Sequence, residues 1–361
     1  MRLLVVGTGL IGTSVALAAS AGGYDVSLED QDPERVALAV SVGAGSPRRA
    51  GDPPVDLAVA AVPPAAVGGV VSRLIEADVA PILTHLASVQ SDPQHQVESL
   101  HPGFAGFVGS HPIAGRERSG PHHASADLFS RRPWIVCPTE ASAPAAVAAV
   151  SALAAACGAL VTVMPATDHD ALFARLSHSP QLVASALAGG LAGLDRAAVG
   201  LAGTGLRDTT RIADSDANLW AEIVAANPGP VATALRAVLE PLHVVVDALE
   251  HGADDRRREA VRDLIERGRR GRELLGGKHG QRAVRWATVA VVVPDEPGKL
   301  ARVLNDAAAA GVNVEDIRVD HSPGQPFGIV ELDVAPDRGA LLERDLIARG
   351  WSATASPPPS A

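Results

Sequence analysis

The feature that most constrains the fold is a glycine-rich segment near the start of the chain, Gly7-Thr8-Gly9-Leu10-Ile11-Gly12. A continuous apolar run, Arg2 to Val6, precedes it and predicts a buried parallel strand. An Ala-rich stretch, Thr13 to Ala21, follows it and predicts a helix. In such a unit the first glycine permits a tight turn, the second lets the backbone approach a pyrophosphate, and the third lets helix and strand pack closely. The context therefore predicts a dinucleotide site.

The next predicted strand, Asp25 to Leu28, leads into acidic residues. Asp30 lies 18 residues beyond Gly12, close to the offset expected for a carboxylate that binds the ribose. Glu29 is the competing acid. Gln31 follows, and no arginine stands beside it to receive a 2′-phosphate, so the sequence favours NAD over NADP.

Length and charge favour a multidomain enzyme. The 361 residues are enough for two or three domains, and the formal net charge of −10 argues against nucleic acid as a partner. Cys137 and Cys157 lie in apolar contexts, which favours burial over a disulfide or a catalytic thiol. His122 and His123 lack metal-ligand spacing, so no metal site is predicted. We expect no signal peptide, no membrane span and a cytoplasmic location.

The pattern of apolar runs predicts three regions. Residues 1–164 alternate strands and helices, as a doubly wound sheet does. Its later elements are predicted as strands Asp56–Val62, Val79–His85, Trp134–Cys137 and Leu160–Val163, and helix Ala145–Ala156. Residues 165–275 contain helical patterns alone: Asp168–Leu194, divided at Pro180, then Asn218–Ala226, Gly229–His251 and Asp254–Leu275.

A glycine-rich linker, 276–284, precedes a third region, 285–355. Its predicted order is strand, helix, strand, strand, helix, strand, which is the split ferredoxin-like pattern. The elements are Trp286–Val293, Gly298–Ala310, Asn313–Asp320, Phe327–Val334, Gly339–Arg349 and Trp351–Ala355. Residues 356–361 are expected to be a disordered tail.

The strongest candidate for chemistry is His111 in the segment Gly109–Gly115. Pro112 restricts His111 to extended geometry, and the apolar segment Phe104 to Val108 comes before it. We therefore expect His111 at the mouth of a strand. Histidine is well suited to accept or share a proton near neutral pH, as an alcohol-oxidising enzyme requires.

Four segments together resemble the prephenate dehydrogenase family, which includes the arogenate and cyclohexadienyl dehydrogenases of tyrosine biosynthesis. They are Gly7–Gly12, Ala87-Ser88-Val89, Gly109–Gly120, and Leu206–Asp216 with Trp220; a fifth, Asp168-His169-Asp170 with Leu176–Pro180, matches less fully. The resemblance covers residues 1 to about 275. It implies an α/β Rossmann domain with a doubly wound parallel sheet, followed by an all-α helical domain for dimerisation and substrate binding. Through Pro294–Leu300 and Gly311–Val314, the third region resembles an ACT domain, a ferredoxin-like βαββαβ module that senses amino acids.

The resemblance implies an NAD-dependent oxidative decarboxylation of prephenate to 4-hydroxyphenylpyruvate. Aromatisation of the ring drives this reaction, so it needs no metal. By resemblance, His111 polarises the ring hydroxyl group, Ser88 holds that hydroxyl group and orients the imidazole, and Arg211 binds a substrate carboxylate. Four further residues are assigned to the substrate pocket: His178, Ser215, Trp220 and Glu117.

These residues also have ordinary structural interpretations. Ser88 can cap a turn or a helix, Arg211 can pair with a neighbouring aspartate, and His178 can be a core histidine. Trp220 can serve helix packing alone. Many relatives carry a second histidine where this chain has Gln181, a neutral residue. The choice between prephenate, with its keto group, and arogenate, with its ammonium group, is therefore open.

Two expectations concern partners. The long apolar helices predict a homodimer, and the ACT resemblance implies L-tyrosine as an effector, with phenylalanine or a purely structural role as alternatives. Two other classes of function are considered. One is a hydroxy-acid or imine reductase that has the same order of a Rossmann domain and a helical domain, and the other is an NAD-binding amino-acid sensor. The combination of Ser88, His111 and Arg211 favours the dehydrogenase.

Overall fold

The computed structural model describes residues 1–114, 120–275, 286–321 and 326–357. Glu117, the predicted linker 276–284 and the end of the predicted tail, 358–361, lie outside the described residues. The chain forms two compact units: the first contains 1–192 and 209–239, and the second contains 193–208 and 240–361. The domain boundaries at 164, 275 and 285 stay predictions.

The first unit is built on an eight-stranded sheet in the order β3-β2-β1-β4-β5-β6-β7-β8. The strands are β1 Arg2–Val6, β2 Asp25–Glu29, β3 Ser46–Pro47, β4 Leu57–Ala60, β5 Leu83–His85, β6 Phe107–Pro112, β7 Pro133–Pro138 and β8 Leu160–Val163. The chain runs outward from β1 to β3 and then crosses back to β4 on the other side of β1. This reversal places a crevice at the carboxyl ends of β1 and β4, where ligands bind in such sheets.

Helices cover both faces of this sheet, as the sequence predicts. They are α1 Leu10–Ala21, α2 Pro33–Ser41, α3 Pro64–Glu76, α4 Ser91–Leu100 and α5 Pro144–Ala156. The side chains of Leu3 and Val5 belong to one buried apolar cluster, whereas Leu4 and Val6 belong to another. Since successive side chains of a strand point to opposite faces, β1 is buried on both sides, which explains its unbroken apolar sequence.

The structure corrects three details of the predicted sheet. Strand β7 runs antiparallel to β6, with His111 opposite Ile135, while the other strand pairs are parallel. The strand predicted over Val79–His85 is limited to Leu83–His85, and the one predicted over Asp56–Val62 is limited to Leu57–Ala60. Apolar runs extend beyond both strands because the flanking residues are also buried in the core.

Between residues 165 and 275 the structure contains helices and no strand, as predicted, and this range is fully described. They are α6 Ala166–Phe173, α7 Ser179–Gly189, α8 Arg196–Gly200, α9 Thr204–Thr210, α10 Ala217–Ala225, α11 Pro228–His251 and α12 Asp254–Glu273. A π-helical turn, Ala174–His178, joins α6 to α7, so the division predicted at Pro180 lies just before it. The sequence prediction missed α8 and α9. In the described part of the chain, no helix is both long and apolar enough to cross a membrane.

The second unit contains the predicted strand and helix order of the third region. Its elements are β9 Ala287–Pro294, α13 Lys299–Ala309, β10 Val314–His321, β11 Phe327–Val334, α14 Gly339–Ala348 and β12 Ser352–Ser356. The sheet order is β10-β11-β9-β12, and residues of both helices share one buried core with it. Gly298, which precedes α13, has φ +83°, a conformation that favours glycine. Ser356 lies in β12, which corrects the predicted start of the tail.

Candidate active site

The three glycines of the first turn differ in the space that is available for a Cβ atom. A Cβ at Gly7, where φ is +99°, would overlap the carbonyl oxygen of Ala61, and a Cβ at Gly12 would overlap the carbonyl oxygen of Gly7. A Cβ at Gly9 would meet no atom within 4 Å. Gly7 and Gly12 are therefore required by packing of the protein itself. Open space at Gly9 fits a dinucleotide, because it lets the pyrophosphate approach the backbone.

The two candidate ribose acids lie in different environments. The Thr8 backbone N–H donates to Asp30 Oδ2 at 2.6 Å, and the Asp32 N–H donates to Asp30 Oδ1 at 3.0 Å, so Asp30 lies against the glycine turn. Glu29 Oε1 instead accepts from Arg73 at 2.6 Å. Since Glu29 is held in an ion pair, the geometry favours Asp30 as the ribose ligand.

Asp30 also lines a cavity of about 480 Å³ at the end of β2. Its walls include Pro33 and Val36 of α2 and, from the loop after β3, Arg48. The sequence prediction found no arginine beside Gln31, and it missed Arg48 because this residue comes 18 positions after Asp30 in the chain. An arginine therefore lines the same cavity as Asp30.

A second cavity, of about 410 Å³, lies at the carboxyl ends of β1, β4, β5 and β6. The glycine turn, the segments 61–64 and 86–88, His111, Pro112 and Ala114 line it, together with Leu219 and Ile223 of α10. The cavity brings Ser88 and His111 together in a wall that is mostly apolar. The predicted residues His178, Arg211, Ser215 and Trp220 do not line it, and Glu117 lies outside the described residues.

His111 is the fifth residue of the six-residue strand β6, at the strand end that the sequence predicts. Its Nδ1 lies 2.9 Å from Nε2 of His169, and its ring packs against Phe173 with centroids 5.1 Å apart. Burial, and next the neighbouring His169, His178 and His85, hold the pKa of His111 well below its usual value. His111 is therefore an uncharged imidazole at neutral pH, able to accept a hydrogen bond.

His169 links His111 to a buried carboxylate. Its Nδ1 lies 2.9 Å from Asp170 Oδ1, and both residues are buried, with 0% and 2% of their surface exposed. The backbone N–H groups of Gln90 and Ser91, at the start of α4, donate to the two oxygens of Asp170 at 2.9 and 2.8 Å. Burial raises the pKa of Asp170, but the hydrogen bonds from His169, Ser91 and Gln90 outweigh it and the net pKa is lowered. Asp170 is therefore an ionised, fully paired carboxylate.

The π turn lies between two pairs of packed rings, His169 with Phe173 and His178 with Trp220. The rings of His169 and Phe173 are four residues apart and stack at 4.4 Å, whereas Phe173 and His178 are five residues apart, which is the spacing of a π turn. His178 is buried, packs edge-on against Trp220 at 6.2 Å, and is close enough to His111 to lower its pKa. Asn227 Nδ2 lies 2.9 Å from the carbonyl oxygen of Asp170 and 3.3 Å from His178 Nδ1.

Arg211 begins a short 3-10 turn, Arg211–Ala213, and is exposed. The turn is held by Gln181, whose Nε2 donates to the carbonyl oxygen of Ile212 at 2.8 Å, and by Ser215, whose Oγ donates to the same oxygen at 2.7 Å. Ser215 Oγ also lies 3.4 Å from Gln181 Oε1. The amide of Gln181 thus supports the turn that carries Arg211.

The contacts of His169, Asp170 and Asn227 were not predicted from the sequence. The segment Asp168-His169-Asp170 contributes to the family resemblance, but no function was assigned to it. A signal was present, because a histidine and an aspartate side by side in an apolar helix must find buried partners. The sequence prediction also missed Leu219 and Ile223, which look like ordinary helix positions in the sequence.

The crevice at the reversal of strand order and the histidine in its cavity define a class of protein, the dehydrogenases that use a nicotinamide dinucleotide. Comparison with known proteins narrows this class. The family model for the prephenate dehydrogenase nucleotide-binding domain matches residues 15–163, and that for the prephenate dehydrogenase dimerisation domain matches residues 165–263. The chain belongs to the prephenate dehydrogenase family, and it is an NAD-dependent oxidoreductase.

Individual relatives agree with this assignment. A probable prephenate dehydrogenase, NovF, of Streptomyces niveus is 34% identical over 97% of this chain and 98% of its own length. A cyclohexadienyl dehydrogenase of Zymomonas mobilis is 30% identical over 68% of this chain and 85% of its own length. The prephenate dehydrogenase of Aquifex aeolicus, solved with hydroxyphenyl propionate and NAD+, is 25% identical with a TM-score of 0.66, and the match covers 74% of this chain and 98% of that one. An arogenate dehydrogenase of Synechocystis matches with 25% identity and a TM-score of 0.64, covering 75% of this chain and 99% of that one.

Proposed function

We propose that the protein converts prephenate to 4-hydroxyphenylpyruvate, with oxidation at the ring carbon that bears the hydroxyl group and loss of the ring carboxylate as carbon dioxide. NAD, when bound, accepts the hydride. The observation that carries the proposal is the position of His111, which lines the apolar cavity beside the glycine turn and is backed by His169. An oxidation of this kind requires an uncharged base beside the hydroxyl group, and His111 meets that requirement.

His111 accepts the hydrogen bond of the ring hydroxyl group while positive charge develops on the carbon that loses hydride. The product is a phenol, so the hydroxyl proton is shared with His111 and retained by the oxygen. Ser88, in the same cavity, is proposed to hold that oxygen and orient it towards His111. Leu219 and Ile223 add apolar side chains to the wall of this cavity, and we propose that they limit the access of water to the reacting carbon.

Recognition of the substrate carboxylates is assigned to Arg211. Its planar guanidinium group suits a carboxylate, and the turn that carries it is braced by Gln181 and Ser215. We propose that His178, Ser215, Trp220 and Glu117 complete the substrate pocket. His178 is the best supported of these, because it is buried and lies close enough to His111 to affect the pKa of that ring.

Arogenate is the second candidate substrate. It differs from prephenate in carrying an ammonium group on the side chain, and a related fold belongs to an arogenate dehydrogenase. Gln181 is neutral, and its Nε2 already donates to the backbone of the Arg211 turn. It supplies no negative charge for an ammonium group, which favours prephenate.

The substrate can be identified by measuring the formation of NADH from its absorbance. Prephenate and arogenate are assayed separately. We expect a higher kcat/KM with prephenate. The variant His111→Asn should lower kcat by roughly two to four orders of magnitude and leave NAD affinity unchanged, as expected for loss of an acid–base group. Activity within tenfold of the parent enzyme would remove His111 from the mechanism.

We also propose a homodimer. On α11 the side chains of Leu242, Val246 and Leu249 are spaced by four and three residues and are 43%, 49% and 53% exposed. This spacing forms a narrow apolar stripe of the kind that pairs with another helix. Light scattering after gel filtration should give twice the chain mass for the parent protein. Leu242→Glu with Val246→Glu should give a monomer, and Leu100→Glu, at an exposed leucine elsewhere, should not.

Regulation by the third region is the last part of the proposal. Its order of strands and helices, and the left-handed Gly298 before α13, support an ACT domain that binds L-tyrosine. A chain truncated after Gly277 should lose tyrosine inhibition while keeping its melting temperature for the first unit. If the truncated enzyme is inhibited equally, and competitively with substrate, tyrosine acts at the active site instead. A cytoplasmic location stays a prediction.

A further inference from the structure

Two hydrogen-bonded arms meet at one residue beneath the active site. The first arm runs from the Asp170 carboxylate through His169 to His111 Nδ1, with two contacts of 2.9 Å. The second arm runs from the Asp170 carbonyl oxygen through Asn227 Nδ2 to His178 Nδ1, with contacts of 2.9 and 3.3 Å. His169, Asp170, His178 and Asn227 are all buried. Water therefore does not compete for these hydrogen bonds, and their direction is set by the protein.

The direction of the first arm follows from the carboxylate. An ionised carboxylate can only accept, and Asp170 already accepts from two backbone N–H groups. His169 must therefore donate through Nδ1. With neutral rings, His169 Nε2 then accepts from His111 Nδ1–H. The lone pair of His111 is left on Nε2, the nitrogen available to a ligand in the cavity that His111 lines.

The direction of the second arm follows from a carbonyl oxygen. Asn227 Nδ2 faces the carbonyl oxygen of Asp170, which can only accept, so this atom is the amide nitrogen. Its second hydrogen points to His178 Nδ1, which therefore accepts. The hydrogen of the neutral His178 ring is then on Nε2. The pKa of His178 is also lowered, first by burial, so this ring is uncharged at neutral pH.

We propose, building on the function above, that Asp170 fixes the two site histidines in opposite tautomers, His111 as a hydrogen-bond acceptor and His178 as a donor. The acceptor suits the ring hydroxyl group, and the donor suits an oxygen of the substrate side chain or carboxylate. Asp170, His169 and Asn227 are positioning residues, since they act through the two histidines. Among the described residues, the groups whose charge acts on His111 are His169, His178, His85 and Asp170, and Asp170 is the anion of this set.

The two arms can be broken separately. In Asp170→Asn the amide nitrogen must replace either Oδ1, which accepts from His169 and Gln90, or Oδ2, which accepts from Ser91. Where the nitrogen replaces Oδ1, His169 accepts through Nδ1 and donates through Nε2, which moves the lone pair of His111 to Nδ1. The backbone carbonyl of residue 170 is unchanged, so the tautomer of His178 should be unchanged. Asn227→Ala should release His178 and leave His111 unaffected.

The test is ¹⁵N NMR of protein labelled at histidine, because the long-range couplings of each ring identify its tautomer. Signals are assigned from their loss in His111→Gln and His178→Gln. We expect Nδ1–H for His111 and Nε2–H for His178 in the parent protein. In Asp170→Asn we expect a population of His111 with Nε2–H to appear, while His178 keeps its tautomer. This measurement needs no substrate, so it can fail independently of the proposed function. Nε2–H on His111 in the parent protein would overturn the inference.

Kinetics supply the second readout. Asp170→Asn should lower kcat by roughly 10²- to 10⁴-fold with unchanged NAD affinity, the scale known for a base held in the wrong tautomer. Asn227→Ala should mainly raise the KM for substrate, by roughly three- to tenfold for one neutral hydrogen bond. The matched control is Asp168→Asn, which makes the same change at an exposed position of α6 and should alter neither tautomer nor kcat. Equal losses in Asp168→Asn and Asp170→Asn would also overturn the inference.

Discussion

Substitution of alanine for Gly9 tests whether this glycine is required for NAD binding or for the stability of the fold. A Cβ at Gly9 would meet no protein atom within 4 Å, and φ is −72°, which alanine adopts freely. A Cβ at Gly12, three residues on, would overlap the carbonyl oxygen of Gly7. We predict that Gly9→Ala folds normally and binds NAD poorly, whereas Gly12→Ala unfolds more easily.

The magnitudes follow from what each methyl group meets. At Gly9 the smaller entropy of the unfolded chain stabilises alanine by about 0.4–1 kcal/mol. Loss of the preference for glycine at the helix N-cap opposes this by a similar amount, about 0.5–1 kcal/mol, so the net change is close to zero. The methyl group would hold the pyrophosphate away from the backbone N–H groups, and each charge-assisted hydrogen bond contributes about 1.5–3 kcal/mol. A fall in NAD affinity of at least roughly tenfold follows, since 1.4 kcal/mol is a factor of ten.

Gly12→Ala must displace the turn, and overpacking of this kind destabilises by about 1–3 kcal/mol or more. The assays are thermal unfolding without ligand and calorimetric titration with NAD. In the parent protein and Gly9→Ala the melting temperatures should agree, while the dissociation constants for NAD should differ. NAD affinity unchanged in Gly9→Ala would refute the placement of the pyrophosphate at this turn. A melting temperature lowered as much in Gly9→Ala as in Gly12→Ala would refute the distinction between the glycines.

Three further predictions test other parts of the site. Arg211→Ala should raise the substrate KM by at least roughly tenfold, since a charge-assisted contact contributes about 1.5–3 kcal/mol; an unchanged KM would count against its role. Asp30→Ala with Gln31→Arg should shift the ratio of kcat/KM towards NADP, since Arg48 also lines the cavity of Asp30; an unchanged ratio would assign binding of the ribose to another group. Burial lowers the pKa of His85 to about 3, so the unfolded state binds the extra proton below its ordinary pKa of 6.5. Stability should therefore fall as pH falls below that value, by up to about 1.4 kcal/mol per pH unit, and His85→Gln should reduce this slope in denaturant titrations.

The sequence predicted best those features that depend on neighbours in the chain. The strand, glycine turn and helix from Arg2 to Ala21 are set by local apolar pattern and by steric limits on glycine. The position of His111 at a strand end follows from Pro112. The order of strands and helices after residue 286 follows from alternating patterns in the same way.

Features that depend on distant residues were missed. His169 lies 58 residues from His111, and Asp170 lies 80 residues from Gln90, so no local pattern indicates that they pair. Arg48 reaches the cavity of Asp30 through the parallel pairing of β2 with β3. The direction of β7 also depends on pairing, because an apolar run carries no information about which way its neighbour runs.

The anchoring of Asp170 restricts how the active-site cleft can open. Its side chain on α6 is bonded to the first backbone N–H groups of α4, and its carbonyl oxygen is bonded to Asn227 just before α11. A hinge between α4 and α6 would break two charge-assisted hydrogen bonds in a buried site, at about 1.5–3 kcal/mol each. These elements should therefore move as one body during turnover. Opening for the entry of ligands is then expected at α10, whose Leu219 is half exposed at the rim of the cavity.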